Sequence, residues 1–465
     1  MLAALILQAL LAGPAPPAAP VRALVGATLI DGTGALPVSH ATVVVRDGRI
    51  DCAGKDCVVP KGAAVTDVSG LWILPGLIDA HVHFGQSGWA DARPDSFDLR
   101  DRFPYETVES ELALHPEKNL RADLCSGVTS VFDNGGYVWS IDLAHRERND
   151  PNAPRVAAAG PLLSTIDFWL NLPAERQFLH LKDAASARSD AQYLAARGAD
   201  AVKVWFIVTP EQTVEASTPE VLAAGEEARR LGLPLIVHAT GLAEAKVALK
   251  AGAHLLVHSV DDLPVDDEFL ALAKSTGAVY CPTLTVMSGY LRQAQAAASG
   301  KPPVLDDPNG CVDRAFVERI TTPGVLPAAG AAEKLERFES MVGPMASTMA
   351  ANLKRVSDAG IPIAMGTDAG NPLTLHGPSV YAEMEAMQAA GLSPMQVIVD
   401  ATRGGSRAMG VETVGGTLEK GKSADLIVVA ADPTQDVANL RKLRFVMRAG
   451  VLRSQSELRA PAAPR

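Results

Sequence analysis

Basic residues are in short supply: 42 Lys and Arg face 53 Asp and Glu, a formal net charge of −11. Nucleic-acid binding is set aside on that balance, because phosphate contacts need clustered Lys and Arg that the chain does not show. Long apolar runs are scarce too. A membrane span needs roughly 20 consecutive apolar residues, and the run Met1–Ala12 falls short of that before giving way to the Gly/Pro/Ala stretch Gly13–Pro20. An apolar run with a small-residue exit is the pattern of a secretory signal, here without its basic start. It predicts a signal over residues 1–20 and a periplasmic or secreted protein, or a cytoplasmic one if the run is not a signal. Cysteine is sparse and odd in number, five in all, and none has zinc-finger spacing, so a structural zinc site is not expected. Cys52 and Cys57 flank Ala-Gly-Lys-Asp, which reads as a hairpin. In an exported protein the two can bridge; otherwise they are ordinary thiols.

What is present is the composition of an ordinary folded soluble protein, 465 residues, 48% hydrophobic and 20% charged, long enough for a barrel plus a smaller companion. The segment Val21–Ser69 holds short β-rich runs such as Ala41–Arg46, broken by Asp31-Gly32 and Asp47-Gly48 turns. Similar texture returns in Ser423–Ala430 and Phe445–Gly450. Neither piece is large enough to bury a core alone, so one β-sandwich assembled from both ends, residues 21–70 and 412–455, is expected. Between them, over 71–411, apolar runs alternate with Ala-rich helical stretches, the mark of βα units on a buried parallel sheet. Eight candidate strands stand out: Trp72–His83, Val128–Asp133, Arg155–Gly160, Asp200–Phe206, Leu235–Ala239, Leu255–Val260, Ala278–Thr283 and Pro362–Asp368. Helices fit between most pairs, for instance Pro219–Leu231 and Gly241–Ala251. Eight such units make an α/β fold of the (β/α)₈, TIM-like barrel type. The stretch 287–345 is too long for an ordinary connection and predicts a lid or substrate wall.

Ionisable residues that end apolar strands carry the chemistry. A buried parallel strand is apolar, so a charge there needs a partner, and barrel active sites form at strand C-terminal ends. His81 and His83 are two apart on the first strand, which puts both imidazoles on one face, as two ligands of one ion require. Lys203 interrupts the apolar run Ala201–Trp205; His238 and His258 close strands five and six; Asp368 ends strand eight. Each alone has an ordinary reading as a packed histidine or a snorkelling lysine. Six together, on five strand ends, do not.

The stretches Leu74–His83, Gly198–Lys203, Val237–Thr240, Val257-His258, Gly366–Gly370 and Gly416–Ile427, in this order, resemble the amidohydrolase superfamily, in its imidazolonepropionase-like and metal-dependent, prolidase-like dipeptidase branch. The resemblance covers nearly all of Val21–Val451. It implies two divalent ions: His81, His83 and Asp368 on the more buried one, His238 and His258 on the other, and Lys203, carboxylated by CO₂, bridging both. Nitrogen and oxygen donors without thiolate suit Zn²⁺. It implies cleavage of an amide, peptide-like or N-acyl but not in a linear protein, by metal-activated hydroxide, with Asp368 as the proton shuttle.

The same superfamily holds mononuclear deaminases and cyclic-imide hydrolases, which carry a Glu three residues after the strand-five His; here that position is Gly241. The dipeptidase branch often has His-Ala-His and Glu-His-Gly where this chain has His238-Ala-Thr240 and Val257-His258-Ser259, so lactone and ester hydrolysis stay open. A non-catalytic binding module would be expected to lose ligands, and none of the six is missing. For the small-molecule substrate, Tyr290 and His376 are candidate contacts, with Arg292 another on the long insertion, since Arg suits bidentate carboxylate capture. A homo-oligomer is compatible with all of this.

Overall fold

The computed structural model describes residues 21–93, 96–167 and 176–461; the expected signal segment, residues 1–20, lies outside them. The fold is mixed α/β. Its parallel strands are short and apolar, with Val128–Asp133 buried at every position, as strands covered on both faces must be. Leu77–Val82, Val128–Asp133 and Arg155–Ala158 form one parallel ladder. A second runs Phe178–His180, Leu162–Ser164, Val202–Trp205, Leu235–His238, Leu255–Val257 and Val279–Cys281, again all parallel.

Hydrogen bonds tie the two ladders together. Asp200 N donates to Ala158 O at 2.9 Å, and Ala364 N to Tyr280 O and Ala80 N to Met365 O, each at 3.0 Å. Two expected strands come out differently. Arg155–Gly160 stops at Ala158 and resumes at Leu162, because Gly160 turns left-handed at φ 71°. Pro362–Asp368 is not a regular strand; it touches its neighbours through single bridges, Tyr280 with Ile363 and Val82 with Ala369.

Helix boundaries follow their caps. Asp266 accepts from Phe269 N and starts Asp267–Thr276, which ends at Gly277. The helix expected from Pro219 begins earlier, at Val214, since the Thr213 side chain accepts from Ala216 N and supplies the start. The long insertion is helical: α1 (Val286–Ser299) packs along α2 (Ala331–Asp358), with the shorter Arg314–Thr321 between them.

The two chain ends share one sheet. Trp72–Pro75 lies between Arg22–Leu29, parallel to it, and Leu426–Val429, antiparallel to it. Asp47 and Gly48, both at positive φ (49° and 74°), make the two-residue turn joining Val38–Arg46 to Arg49–Gly54. Arg448, buried in this sheet, pairs with Asp425 at 3.2 Å and donates to Ala153 O at 3.2 Å and Arg148 O at 3.0 Å, latching the sheet to the parallel-strand body. Two disulfides are present. Cys52–Cys57 closes the hairpin region, and Cys125–Cys311 joins a helix of the body to the insertion; Cys281 is free and buried.

Candidate metal centre

His81 is the penultimate residue of the buried strand Leu77–Val82 and His83 follows the strand directly, so the two-residue period directs both rings to one side. Their Nε2 atoms are 3.1 Å apart. Asp368 meets them because its N donates to His81 O at 2.7 Å. Its Oδ1 stands 3.1 Å from His83 Nε2 and 3.5 Å from His81 Nε2. The close approach of these segments depends on Gly366: a Cβ there would sit 2.9 Å from His81 Cβ and closer still to Cys281 Sγ. Asp79, fully buried below, accepts from Thr367 N at 2.9 Å, Thr367 Oγ1 at 2.5 Å and His81 N at 3.2 Å, clamping the two segments together. Burial outweighs these donors and pushes its carboxyl up to about 7.

His258 and His238 approach from the other ladder. Their rings are 4.3 Å apart between centroids, and His258 is 4.9 Å from the His81 ring. Ligand atoms of His81, His258 and Asp368 lie within 4.8 Å of one another, so the two expected ligand groups are contiguous. Backbone strain concentrates here. His258, Thr283 and Asp368 are non-glycine residues in left-handed conformation, φ 75°, 45° and 61°, each at a cost of order 1 kcal/mol that the surrounding structure must offset.

Each anchor orients a ring. His83 Nδ1 bonds Gly135 O at 2.6 Å and His258 Nδ1 bonds Thr283 Oγ1 at 2.7 Å. These anchors on Nδ1 turn the Nε2 atoms inward, the orientation that metal-binding imidazoles require. Removal from water is the first cause holding the His81, His238 and His258 imidazoles well below their ordinary range; Lys203 adds to it in each case. Lys203 itself is buried, which draws its ammonium down to about 8 against the opposing pull of Asp368, Cys281 and Asp133.

Two imidazole nitrogens facing each other across 3.1 Å, beside a buried Asp368 Oδ1 with no hydrogen-bond partner, are what a cation would complete. The donor set fits a divalent ion.

His83, Lys203, His238, His258 and Asp368 form the floor of a cavity of about 260 Å³. One wall comes from strands of the second ladder, with Leu162, Phe178 and Trp205. The other comes from α1 and α2, with Met287, Tyr290, Phe338, Met345 and Met349. Tyr290 thus reaches the cavity, its hydroxyl donating to Asn371 Oδ1 at 3.0 Å. His376 does not. Its ring stacks on Phe84 at 5.1 Å, buried beside a smaller space lined by Ser87 and Arg319, which corrects the expectation that it contacts substrate. Arg292 also turns away, donating to Leu373 O at 3.0 Å, because residues two apart on a helix point in different directions. The cavity's arginine is Arg93, in the loop after the histidine pair, where no periodicity marks it.

The amidohydrolase family's sequence profile matches residues 72–453. The chain is 26% identical over 434 residues to an imidazolonepropionase of Mesorhizobium japonicum, covering 86% of this chain and 89% of that one. It is 25% identical over 458 residues to an ochratoxinase of Aspergillus niger, covering 90% and 83% respectively. Among solved structures, a Xaa-Pro dipeptidase with methionine bound in its active site superposes with a TM-score of 0.70 at 23% identity, over 93% of this chain and 100% of that one.

Proposed function

Because the chain belongs to the amidohydrolase family, we propose that it is a metal-dependent hydrolase cleaving an amide bond in a small peptide-like or N-acyl substrate at a binuclear site. The observation that carries this reading is the meeting of His81 Nε2, His83 Nε2 and Asp368 Oδ1 within 3.1 to 3.5 Å, on segments that come together only in the fold.

In this reading His81, His83 and Asp368 would hold the more buried ion, His238 and His258 the more exposed one, and Lys203, as its carbamate, would serve as a ligand to both. Divalent ions bound there, Zn²⁺ by the donor chemistry, supply Lewis acidity for the scissile carbonyl and lower the pKa of a water. A lysine drawn down to about 8 keeps a share of neutral amine near neutral pH, the form that adds to CO₂. Gly135 O accepts from His83 Nδ1 and so fixes that ring's tautomer, and Thr283 Oγ1 orients the His258 ring. Asp368 accepts the proton of the attacking water and returns it to the departing nitrogen. The apolar walls around Trp205 and Phe338 keep bulk water from the floor, which strengthens each electrostatic contact there.

The ladder contacts at Ala80, Met365, Asp200 and Ala158 support closure of the parallel strands over residues 71–411 into a (β/α)₈ barrel, with residues 21–70 and 412–455 as the companion sandwich. Two disulfides suit an oxidising compartment, in keeping with export to the periplasm or beyond. Elemental analysis of fully active protein is expected to give two ions per chain, and one ion would refute the binuclear site. A panel of dipeptides, N-acyl amino acids, lactones and cyclic imides tests the bond: preferred turnover of lactones or imides would overturn the amide assignment.

A further inference from the structure

We propose that Asp261 selects substrates carrying a protonated amine or guanidinium several bonds from the scissile amide; the inference rests on the hydrolase reading above and adds a substrate class to it. Among the described residues lining the cavity, Asp261 is the one carboxylate outside the proposed ligand set. Its N donates to Thr240 O at 2.8 Å, which places it beyond the ends of Leu235–His238 and Leu255–Val257, past His238 and His258. Among the described residues no other residue donates to its carboxylate or pairs with it. Asp262, next to it, is the contrast: its Oδ1 accepts from Leu242 N at 3.0 Å, at the start of the helix Leu242–Lys250. Basic side chains of the neighbouring elements are committed elsewhere. Lys246 pairs with Asp266 and Glu268 at 2.6 and 2.7 Å, Lys250 with Glu268 at 3.1 Å, and Arg355 with Asp267 at 2.8 Å. Burial, then the Asp262 and Glu244 charges, hold the Asp261 carboxyl above its ordinary range, and no cation offsets them.

The loop that carries Asp261 is braced. Asn352, buried on α2, accepts from Val265 N at 2.8 Å and donates to Val260 O and Leu263 O, each at 2.9 Å. An unpaired carboxylate on a braced loop, facing a cavity, lacks only a counter-ion. Gln177, buried in the same lining, adds a second unmet acceptor, since its Oε1 has no hydrogen-bond partner. Both call for a ligand rich in donors, and Asp261 calls for a charged one. Position then decides the kind of cation. Asp261 lies three residues past His258, a reach of at most about 11 Å along the chain, while Lys203 and the proposed ions occupy the floor. A positive charge on the carbon beside the amide would face those cations, whereas one at the end of a side chain clears them. An ammonium on a four-carbon stem, or a guanidinium on a similar one, is of that kind. Met349, in the same lining and three residues before Asn352, offers the stem an apolar surface.

The test uses the full metal-reconstituted chain and two matched pairs, in which norleucine lacks only the ammonium of lysine. N-benzoyl-lysine and N-benzoyl-norleucine vary the charge on the departing half; the anilides of Nα-acetyl-lysine and Nα-acetyl-norleucine vary it on the acyl half. Wild type is expected to favour the lysine member of at least one pair by roughly tenfold in kcat/KM, mainly through KM. Asp261→Asn should remove most of that preference, Asp261→Glu should keep most of it, and Asp261→Lys should turn it into a bias against lysine. Equal loss on both members of a pair in Asp261→Asn, or a wild type indifferent to the ammonium in both pairs, overturns the proposal and leaves the hydrolase reading standing. No hydrolysis of any of the four amides counts against that reading, and thermal shift then decides the inference. Greater stabilisation by a lysine compound than by its norleucine partner, lost in Asp261→Asn, upholds it; equal shifts overturn it. Should Asp261→Asn fail to fold, Asp261→Ser takes its place with the same expected outcomes.

Discussion

His81, His83, Lys203, His238, His258 and Asp368 hang from the ends of buried parallel segments, whereas Met287, Tyr290, Phe338, Met345 and Met349 hang from two helices that cross the cavity. The first set is fixed from behind. Asp79, Gly135, Thr283 and the close approach at Gly366 each hold a ligand or its backbone, and strain is tolerated at His258 and Asp368 to keep them in place. The second set is held by packing between helices and by one covalent tie, Cys125–Cys311, which fastens the insertion to the body. Chemistry needs donors placed to within fractions of an ångström, while a substrate wall needs only shape and apolarity. Disturbing the two regions should therefore give different signatures.

The largest effect is expected from Lys203→Ala. The reading requires kcat/KM to fall about 10³-fold, equivalent to about 4 kcal/mol of transition-state stabilisation, with short carboxylic acids restoring part of it. Unimpaired activity would erase the distinction between floor and wall. Next comes the tether. Cys311→Ser should lower unfolding free energy by about 3 kcal/mol, because the disulfide spans 186 residues of sequence; denaturant titration measures it, and ion content should be retained. Phe338→Ala should raise KM about tenfold with kcat little changed, the mark of lost uniform binding, and a fall in kcat alone would place the residue with the floor.

The smallest effect concerns Asp261, half-buried on the cavity edge. Burial, then the Asp262 and Glu244 charges, raise its carboxyl to about 6 from an ordinary value of 3.8. Between those values the folded chain binds more protons than the unfolded one, so stability falls as pH rises through about 6 and levels off above it. Asp261→Asn should remove that fall, raising Tm slightly at pH 7 and not at pH 4. Solvent screening limits the gain to about a few tenths of a kcal/mol. An equal gain at both pH values would point to packing instead of charge.

The floor was legible in the sequence because an ionisable side chain closing an apolar strand has few innocent explanations, and several did so in register. The walls were not. Phe338, Met345 and Met349 sit on an amphipathic helix whose apolar face looks the same whether it covers a core or a substrate. Arg93 lies in a loop without period, and Tyr290 could be separated from Arg292 only by knowing which way the helix faces. His376, close in sequence to Asp368, drew attention by residue type, yet its buried stacking on Phe84 shows that proximity along the chain does not set direction. Cys125 and Cys311 lacked any local spacing to announce a pair. The irregular approach of residues 362–368 was hidden for a similar reason: it depends on a glycine contact with Cys281 and His81.

The sheet built from both chain ends also sets a timetable. Trp72–Pro75 has its antiparallel partner in Leu426–Val429, which leaves a ribosome only after everything between them has been made. At about 5–20 residues per second that is a wait of roughly 20–70 s. Throughout it, one edge of a nascent apolar strand stays unpaired and open to wrong neighbours. Newly made chains of this protein should therefore depend on a holding chaperone, and C-terminal truncation before Leu426 should leave them aggregation-prone even though every proposed metal ligand is present.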